Sequence, residues 1–341
     1  MGRQTSIARS ILRAVFYNSQ ADKKRLLSRI VIFLALFQLT LARFREDLFE
    51  SLRIDVWGID EDEYKESFRK SGKRSRLNPI GDLGYSGSTF FTTPNSKFLI
   101  KSVPRRFEYS FFRDDMLQPY YEHMRSHPSS LLVRITDFLY TPYHTLGGWL
   151  GLAPTHHIIM ENILFGKERD SRSKEWETYD LKPSSYFFPE RDIMNGALSS
   201  DATKERLIDE FNDKVRITSE EYSELKGILE VDTELLEKAN TVDYSLFLIR
   251  IPASSTAQPI GSARVSAWRT GVTSTDGMWK YRAVILDFFW AKHKLQAQAM
   301  TGLVQSFNMI ARKGPMSITT TPKEYRERFL NMVDEIVELQ D

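Results

Sequence analysis

The sequence predicts an α+β protein of two lobes, and three observations predict it. A helical opening is followed by a strand–turn–strand segment, strands and helices then mix, and an amphipathic helix closes the chain. The bulk composition agrees with a folded domain of this kind. Its 341 residues are 41% hydrophobic and 27% charged, enough to bury a sizeable core. There is no cysteine, which excludes disulfides and thiolate metal sites and fits a reducing compartment. The net charge of +2 argues against a nucleic-acid partner but leaves room for a local basic patch.

From Gln4 to Glu50 the chain reads as helical, with Ile7, Ile11, Leu12, Val15 and Phe16 spaced for one face. Within it the apolar run from Ile30 to Ala42 is shorter than the roughly 20 residues that a helical membrane span needs. Arg43, Arg45 and Glu46 follow it, where a signal peptide would place small cleavage-site residues. A core or interface helix is therefore expected, with a homodimer surface as one use of it. Met1-Gly2-Arg3-Gln4-Thr5-Ser6 also fits the short N-myristoylation pattern, with Lys23, Lys24 and Arg25 downstream.

A short helix is expected from Asp60 or Glu61. Phe90-Phe91 and Phe98-Leu99-Ile100-Lys101 flank Thr93-Pro94-Asn95-Ser96, so they read as strand, turn and strand. Phe107 to Arg125 has helical spacing. Leu131 to Ile135 and His157 to Met160 read as strands, and Trp176 to Tyr186 as extended chain. Lys204 to Gly227 is helical in parts and the pattern continues from Thr233 to Ala239. Tyr244 to Ile251 and Tyr281 to Phe288 are further strands around a Thr275-Asp276-Gly277 turn, and Lys323 to Leu339 is an amphipathic helix.

Several segments carry chemistry. Gly84, Ser86, Gly87 and Ser88 form a small-residue hairpin whose backbone can approach polyphosphate oxygens, although any tight hairpin favours such residues. Lys101 ends the next strand, and a strand lysine facing that loop would need an anionic partner such as a phosphate; pointing into water is the alternative. Glu108, with Asp114 and Asp115 behind it, is the candidate carboxylate partner on the following helix, or part of a solvated face.

Asp180 and Lys182, two apart on an extended segment, project to one side and offer a carboxylate and an ammonium together, as a surface ion pair also would. Asp243 precedes a strongly apolar strand and Asp287 closes another. An aspartate at such a strand end serves as a cap or turn residue, or is neutralised by magnesium on phosphate oxygens. In chain order these are a phosphate loop, a strand lysine, an acidic segment and a metal aspartate: the inventory of a phosphoryl-transfer enzyme.

These segments resemble those of the phosphatidylinositol phosphate kinase family. Gly84 to Ser88 is similar to its glycine–serine loop, Ile100-Lys101 to its Ile-Lys strand, and Asp180-Leu181-Lys182 to its Asp-Leu-Lys-Gly-Ser segment. Asp243-Tyr244-Ser245-Leu246 and Ile285-Leu286-Asp287 are similar to its Asp-Tyr-Ser-Leu-Leu and Ile-Ile-Asp segments. Met160-Glu161-Asn162 resembles its hinge and Tyr325 to Phe329 its closing helix, so the likeness covers most of Phe49 to Val333. It implies a two-lobed kinase-like fold, shared with SAICAR synthase, with antiparallel sheets in both lobes and a helical N-terminal extension. Residues 1–48 would form the extension, 49–160 the N-lobe and 161–341 the C-lobe.

The resemblance further implies ATP and Mg2+ as reactants and a phosphoinositide at the cytosolic face of a membrane as acceptor. Gly84, Ser86, Gly87, Ser88, Lys101, Glu108, Met160 and Asn162 would bind ATP, and Asp287 the metal. Asp243, Lys182 and Asp180 would be catalytic, and Lys292 and Lys294 would attract the headgroup. Two departures stand out: Pro183 replaces the glycine after Asp-Leu-Lys, and the basic segment after Asp287 is short. They leave a catalytically weak or inactive scaffold that binds nucleotide or phosphoinositide as the alternative.

Overall fold

The computed structural model describes residues 2–16, 34, 36–69, 77–80, 88–183, 211–255, 265–293 and 320–340. Helix α1 (Arg3–Phe16) and strand β1 (Ala42–Arg43) come first. Helix α2 (Glu46–Ser51) widens into a π turn over Leu52–Val56, and α3 (Glu61–Glu66) follows. Strands β2 (Asn78–Ile80), β3 (Phe90–Thr92) and β4 (Phe98–Ser102) precede α4 (Arg106–Phe111), which runs through a second π turn, Phe112–Met116, into α5 (Leu117–Ser126). Next are β5 (Ile135–Tyr140), α6 (Leu146–Trp149), β6 (His156–Glu161), β7 (Glu177–Leu181) and β8 (Val215–Ile217). Helix α7 (Ser219–Lys238) leads to β9 (Thr241–Val242) and β10 (Ser245–Pro252). The chain continues with α8 (Ala267–Thr270), β11 (Val272–Thr273), β12 (Trp279–Leu286), β13 (Trp290–Ala291), α9 (Pro322–Ile336) and β14 (Val337–Leu339).

The elements divide into two compact units, Met1–Tyr109 with Arg134–Phe165, and Ser110–Val133 with Gly166–Asp341. In the first, the described strands form an antiparallel sheet in the order β1-β5-β6-β4-β3-β2. Its core joins Phe91, Phe98, Ile100, Leu139 and Ile159 of the sheet to Ile7, Ile11, Ala14 and Val15 of α1. Phe98 and Ile100 reach this core together because alternate residues of a strand share a face. Tyr64 and Phe68 close the core from α3, whose start is fixed by the Asp60 carboxylate accepting from the amides of Asp62 and Glu63, each at 3.0 Å.

The expected long opening helix is not what forms. Helix α1 is described as far as Phe16, and the described part of the Ile30–Ala42 run, residues 34 and 36–41, is not helical. Leu39 and Leu41 are buried in the core, and the Leu39 amide donates to the Ser10 hydroxyl at 3.0 Å in place of an i−4 carbonyl. An apolar run can be satisfied by crossing a helix as irregular chain when side chains take up its backbone donors. Residues 30–33 and 35 lie outside the described residues. The Leu131–Ile135 strand is likewise displaced: regular pairing of β5 begins at Ile135, while Leu132 makes an isolated bridge to Ile285.

Under β5 lies a buried ion network. The Asp137 carboxylate, fully buried, accepts from Arg43 Nη2 at 2.8 Å and the Tyr64 hydroxyl at 2.7 Å, with Arg53 Nη1 at 3.4 Å. Arg53 also donates to the Thr136 carbonyl at 2.6 Å and pairs with Glu61 at 2.8 Å. Burial works most strongly against both guanidinium charges, but Asp137 and Tyr64, with Glu46 beside Arg43 and Glu61 beside Arg53, together outweigh it, so Arg43 and Arg53 hold their protons more tightly than an exposed arginine. His157, on β6, is fully buried with neither ring nitrogen hydrogen-bonded. Burial, helped by His156, pushes its pKa down to about 3, so it is neutral.

In the second unit the sheet order is β11-β12-β10-β7, also antiparallel. Helices α7 and α9 pack together beside it, and each begins with a reciprocal capping box, Thr218 with Glu221 and Thr321 with Glu324. Asp232 in α7 is buried and binds two neighbours: His123 Nε2 of α5 at 2.6 Å and the Leu131 amide at 2.6 Å. No helix among the described residues is long and apolar enough to cross a membrane.

Candidate functional site

In the second unit the antiparallel ladder between two chain segments is broken once. Ser245 pairs with Leu286 at the end of the β10–β12 ladder, and Val242 pairs with Trp290 at the start of the β9–β13 ladder. The break holds Asp243 and Tyr244 on one segment and Asp287, Phe288 and Phe289 on the other. Both aspartates have left-handed backbones there, with φ of 66° at Asp243 and 59° at Asp287. Such φ values are uncommon outside glycine, though aspartate tolerates them better than most residues, and they cost of order 1 kcal/mol or more each.

The residues after each aspartate hold these turns in place. Tyr244 is buried against Tyr325 and Phe329 of α9, with ring centroids 4.7 and 5.0 Å away, and its carbonyl accepts from the Tyr325 hydroxyl. Phe288 stacks on Tyr120 at 6.0 Å, and Phe289 packs on Phe112 at 5.1 Å. A hydrogen bond from the Phe289 amide to the Asp287 carbonyl, 2.8 Å, tightens the second turn. The aromatic neighbours thus anchor in the core while each aspartate stays half-buried at the sheet end.

Lys182 completes the cluster. It follows β7, whose Leu181 pairs with Leu246, so it emerges at the same end of the sheet as the two aspartates. Its ammonium donates to the Asp243 carbonyl and to Asp243 Oδ1, both at 2.9 Å, clasping the left-handed turn from both sides of its residue. The side chains are 17% and 23% exposed, open enough for a ligand to reach. Burial opposes the Lys182 charge, but Asp243, Asp180 and Asp287 together outweigh it and raise its pKa above that of an ordinary lysine. Lys182 is therefore a fixed cation among three carboxylates, not a proton acceptor at neutral pH. Pro183 behind it is buried.

Apart from Lys292, the remaining sequence candidates lie in the first unit or outside the described residues. Lys101 pairs in register with Phe90 and Ile158, is half-buried, and holds its ammonium 5.9 Å from the centre of the Phe90 ring. Glu108 is buried and accepts from Arg105 at 3.2 Å, and Ser88 is buried before β3. Met160 pairs with Leu99 and Ile135 within the sheet. The Asn162 side chain donates to the Ser96 carbonyl at 2.8 Å, tying the β3–β4 turn to the chain after β6. Lys292, in the second unit, donates to the Thr320 carbonyl at 3.0 Å. Gly84, Ser86, Gly87 and Lys294 lie outside the described residues.

The structure thus gathers Asp180, Lys182, Asp243 and Asp287, residues drawn from three separated segments. Sequence reading missed the aromatic anchors Tyr244, Phe288 and Phe289 and the left-handed turns they secure. The signal was present: each strand-end aspartate is followed directly by an aromatic residue. Among the described residues no group of three or more His, Cys, Asp and Glu side chains is arranged to hold a metal.

Comparison with known proteins follows the same residues. The family model for phosphatidylinositol-4-phosphate 5-kinase matches residues 71–267, more than half of the chain; the match takes in Lys101, Asp180, Lys182 and Asp243 and ends before Asp287. The chain is 29% identical over 209 residues to the phosphatidylinositol 4-phosphate 5-kinase of Plasmodium falciparum, covering 58% of this chain and 12% of that protein. It is 30% identical over 198 residues to a probable phosphatidylinositol phosphate kinase of Dictyostelium discoideum, with 57% and 25% covered. It is 28% identical over 197 residues to the human phosphatidylinositol 4-phosphate 5-kinase type-1 beta, with 57% and 33% covered. The chain spans a third or less of the length of these relatives. With the strand-end aspartates and the lysine clasp placed, and the matching stretch running through most of them, the chain belongs to the phosphatidylinositol-4-phosphate 5-kinase family.

Proposed function

We propose that the chain is a phosphatidylinositol phosphate kinase, transferring the γ-phosphate of ATP to a hydroxyl of an inositol-lipid headgroup with magnesium, on a two-lobed SAICAR synthase-like fold. The observation that carries this reading is the Lys182 ammonium fixed against Asp243, within reach of the Asp180 and Asp287 charges at one sheet end. Phosphoryl transfer needs mainly alignment and neutralisation of phosphate charge, and these residue types supply both.

The donor set fits magnesium. Carboxylate oxygens are hard ligands, and magnesium commonly takes only one or two of them and completes its shell with water and phosphate oxygens. Asp287 would hold the ion, with Asp243 beside it across the ladder break. Magnesium, when bound, neutralises charge on the phosphate oxygens and helps to orient them. Lys182 spends its bonds on the Asp243 carbonyl and Oδ1, which leaves Oδ2 to accept the proton of the attacking hydroxyl. Its permanent positive charge, with Asp180 behind it, suits a place near the transferred phosphate. Lys101 would take the α- and β-phosphates, with Ser88, Glu108, Met160 and Asn162 in the nucleotide site. Lys292 and Lys294 would attract the acidic headgroup.

The test uses the purified chain with γ-labelled ATP, magnesium and vesicles carrying single phosphoinositides. Label in lipid is the expected result. Nucleotide binding with no transfer to any acceptor would replace this reading with a scaffold role, and transfer to soluble inositol phosphates alone would replace the lipid acceptor.

A further inference from the structure

Apart from the isolated Leu132 bridge, Ser130–Val133 is irregular chain, yet all four residues are buried and every backbone polar group among them has a partner. Ile285, near the end of β12, takes two of these groups. Its amide donates to the Leu131 carbonyl at 2.7 Å, and its carbonyl accepts from the Val133 amide at 3.0 Å. The Ser130 amide donates to the His127 carbonyl at 3.0 Å. Side chains take the rest. Asp232 of α7 accepts from the Leu131 amide at 2.6 Å. Arg269 of α8 donates to the Ser130 carbonyl at 2.8 Å and to that of Leu132. The Tyr120 hydroxyl of α5 donates to the Val133 carbonyl at 2.9 Å, and Ser130 Oγ accepts from the Leu132 amide at 3.2 Å. All these residues belong to the second unit.

We propose that this segment is a brace that holds the Asp287 carboxylate in place for magnesium, and that Asp232 is the positioning residue that fixes the brace. The inference rests on the kinase reading above. Ile285 lies two residues before Asp287, paired with Leu246 on one side and gripped by Leu131 and Val133 on the other. Tyr120 ties the brace to the turn itself, since its ring stacks on Phe288 while its hydroxyl holds Val133. An irregular segment can fix its neighbour's register only if something fixes the segment. Asp232 does so from a helix of 20 residues opened by a capping box. Its carboxylate is fully buried with both oxygens engaged, Oδ2 by the Leu131 amide and Oδ1 by His123 Nε2 at 2.6 Å. A buried carboxylate is tolerated only with such bonds, and they leave it one position. The left-handed φ of 59° at Asp287 likewise persists only where the surroundings over-determine it. The stakes are high, because misplacing a reacting group by about 1 Å can cost on the order of a hundredfold in rate.

Asp232→Ala leaves the Leu131 amide buried without an acceptor, whereas Asp232→Asn can still accept from it and donate to His123. Leu225→Ala, a core deletion two turns along α7, controls for lost stability. The first readout is hydrogen exchange at the Ile285 and Phe289 amides, without nucleotide. They should exchange about tenfold or more faster in Asp232→Ala than in Leu225→Ala, with most of the protection restored in Asp232→Asn. The second is the affinity for a non-hydrolysable ATP analogue, measured with magnesium and with EDTA. Asp232→Ala should cut the gain that magnesium brings by about tenfold or more and leave the affinity in EDTA unchanged, and Asp232→Asn should recover most of that gain. If Asp232→Ala does not fold, Tyr120→Phe replaces it: the ring stays on Phe288, the bond to Val133 is lost, and both readouts should move the same way by about threefold. Exchange no faster than in Leu225→Ala, or a magnesium gain left intact, would overturn this inference alone. No magnesium gain in the unaltered chain would overturn the kinase reading and this inference with it.

Discussion

Lys182 carries two duties that a substitution can separate. It holds the left-handed turn of Asp243 through the backbone carbonyl, and it places a cation among three carboxylates. Lys182→Met should lower kcat about 100-fold or more, the usual cost of removing a preorganised charge partner, while the circular dichroism spectrum stays native. Lys182→Arg keeps the charge but not the single-point geometry and should restore only a fraction of the rate. A rate loss of less than about threefold in the methionine variant would remove Lys182 from the proposed chemistry.

His157 lends itself to a pH test. Its folded pKa, about 3, lies below its ordinary value of 6.5, so between these limits the unfolded chain binds a proton that the folded one refuses. Stability should therefore fall as pH falls through this window, by up to about 1.4 kcal/mol per pH unit from this group. Denaturant titrations from neutral pH to pH near 5 should show a smaller decline for His157→Leu than for the unaltered chain; parallel declines would contradict the assignment. Residue identity was the most legible level in the sequence. Asp243 and Asp287 stood out because one precedes an apolar run and the other closes one, but nothing in a linear pattern reveals a left-handed φ, which is set by the aromatic rings packed behind it.

At the level of elements, Asp137 is where the first unit is most dependent on a single side chain. It joins β5 to β1 through Arg43, to the π turn after α2 through Arg53, and to α3 through Tyr64. Asp137→Ala leaves two buried guanidiniums without their shared anion and should cost about 3–5 kcal/mol, read as a lower denaturant midpoint. Tyr64→Phe removes one hydrogen bond and should cost nearer 1 kcal/mol. The charge inside the apolar stretch Ile135-Thr136-Asp137-Phe138-Leu139 was the sequence signal for this network, since a buried carboxylate demands partners. The partners were not legible because Arg43 is 94 positions away.

The same contrast separates elements read correctly from those displaced. Helix α3 was visible from its Asp60 cap, and the β3–β4 hairpin from its Thr-Pro-Asn-Ser turn, because local chemistry sets both. The described part of the Ile30–Ala42 run was misread because apolar content alone does not distinguish a helix from irregular chain laid over one. Ser10, far off in sequence, decides that case by accepting from Leu39.

For the whole molecule the expected reactants become a stability measurement. A ligand that binds only the folded chain adds about 2.7 kcal/mol at a hundred times its Kd, so magnesium with ATP should raise Tm measurably and EDTA should reverse much of the gain. Lys101→Ala and Asp287→Asn should each abolish the shift while leaving the unliganded Tm near that of the unaltered chain. An unliganded Tm that collapses in either variant would reveal a structural post in place of a ligand contact. At this scale the α+β class followed from the order of apolar runs and turns, and the antiparallel sheets were implied by the family resemblance, whereas the division of the chain into interleaved units was not legible. Ser110–Val133 joins the second unit and Arg134–Phe165 returns to the first, a pattern fixed by long-range pairing such as Leu132 with Ile285.

The broken ladder also acts as a ruler. Because pairing resumes on both sides of the break, two residues on one segment must always face three on the other. Deleting or inserting one residue at either place would slide a carboxylate along the sheet by roughly one strand step, about 3.4 Å, and turn it to the opposite face. Length changes elsewhere in the loops of this unit leave that spacing untouched. Chains that keep both carboxylates in use are thus bound to conserve the two gap lengths even where the residues filling them drift.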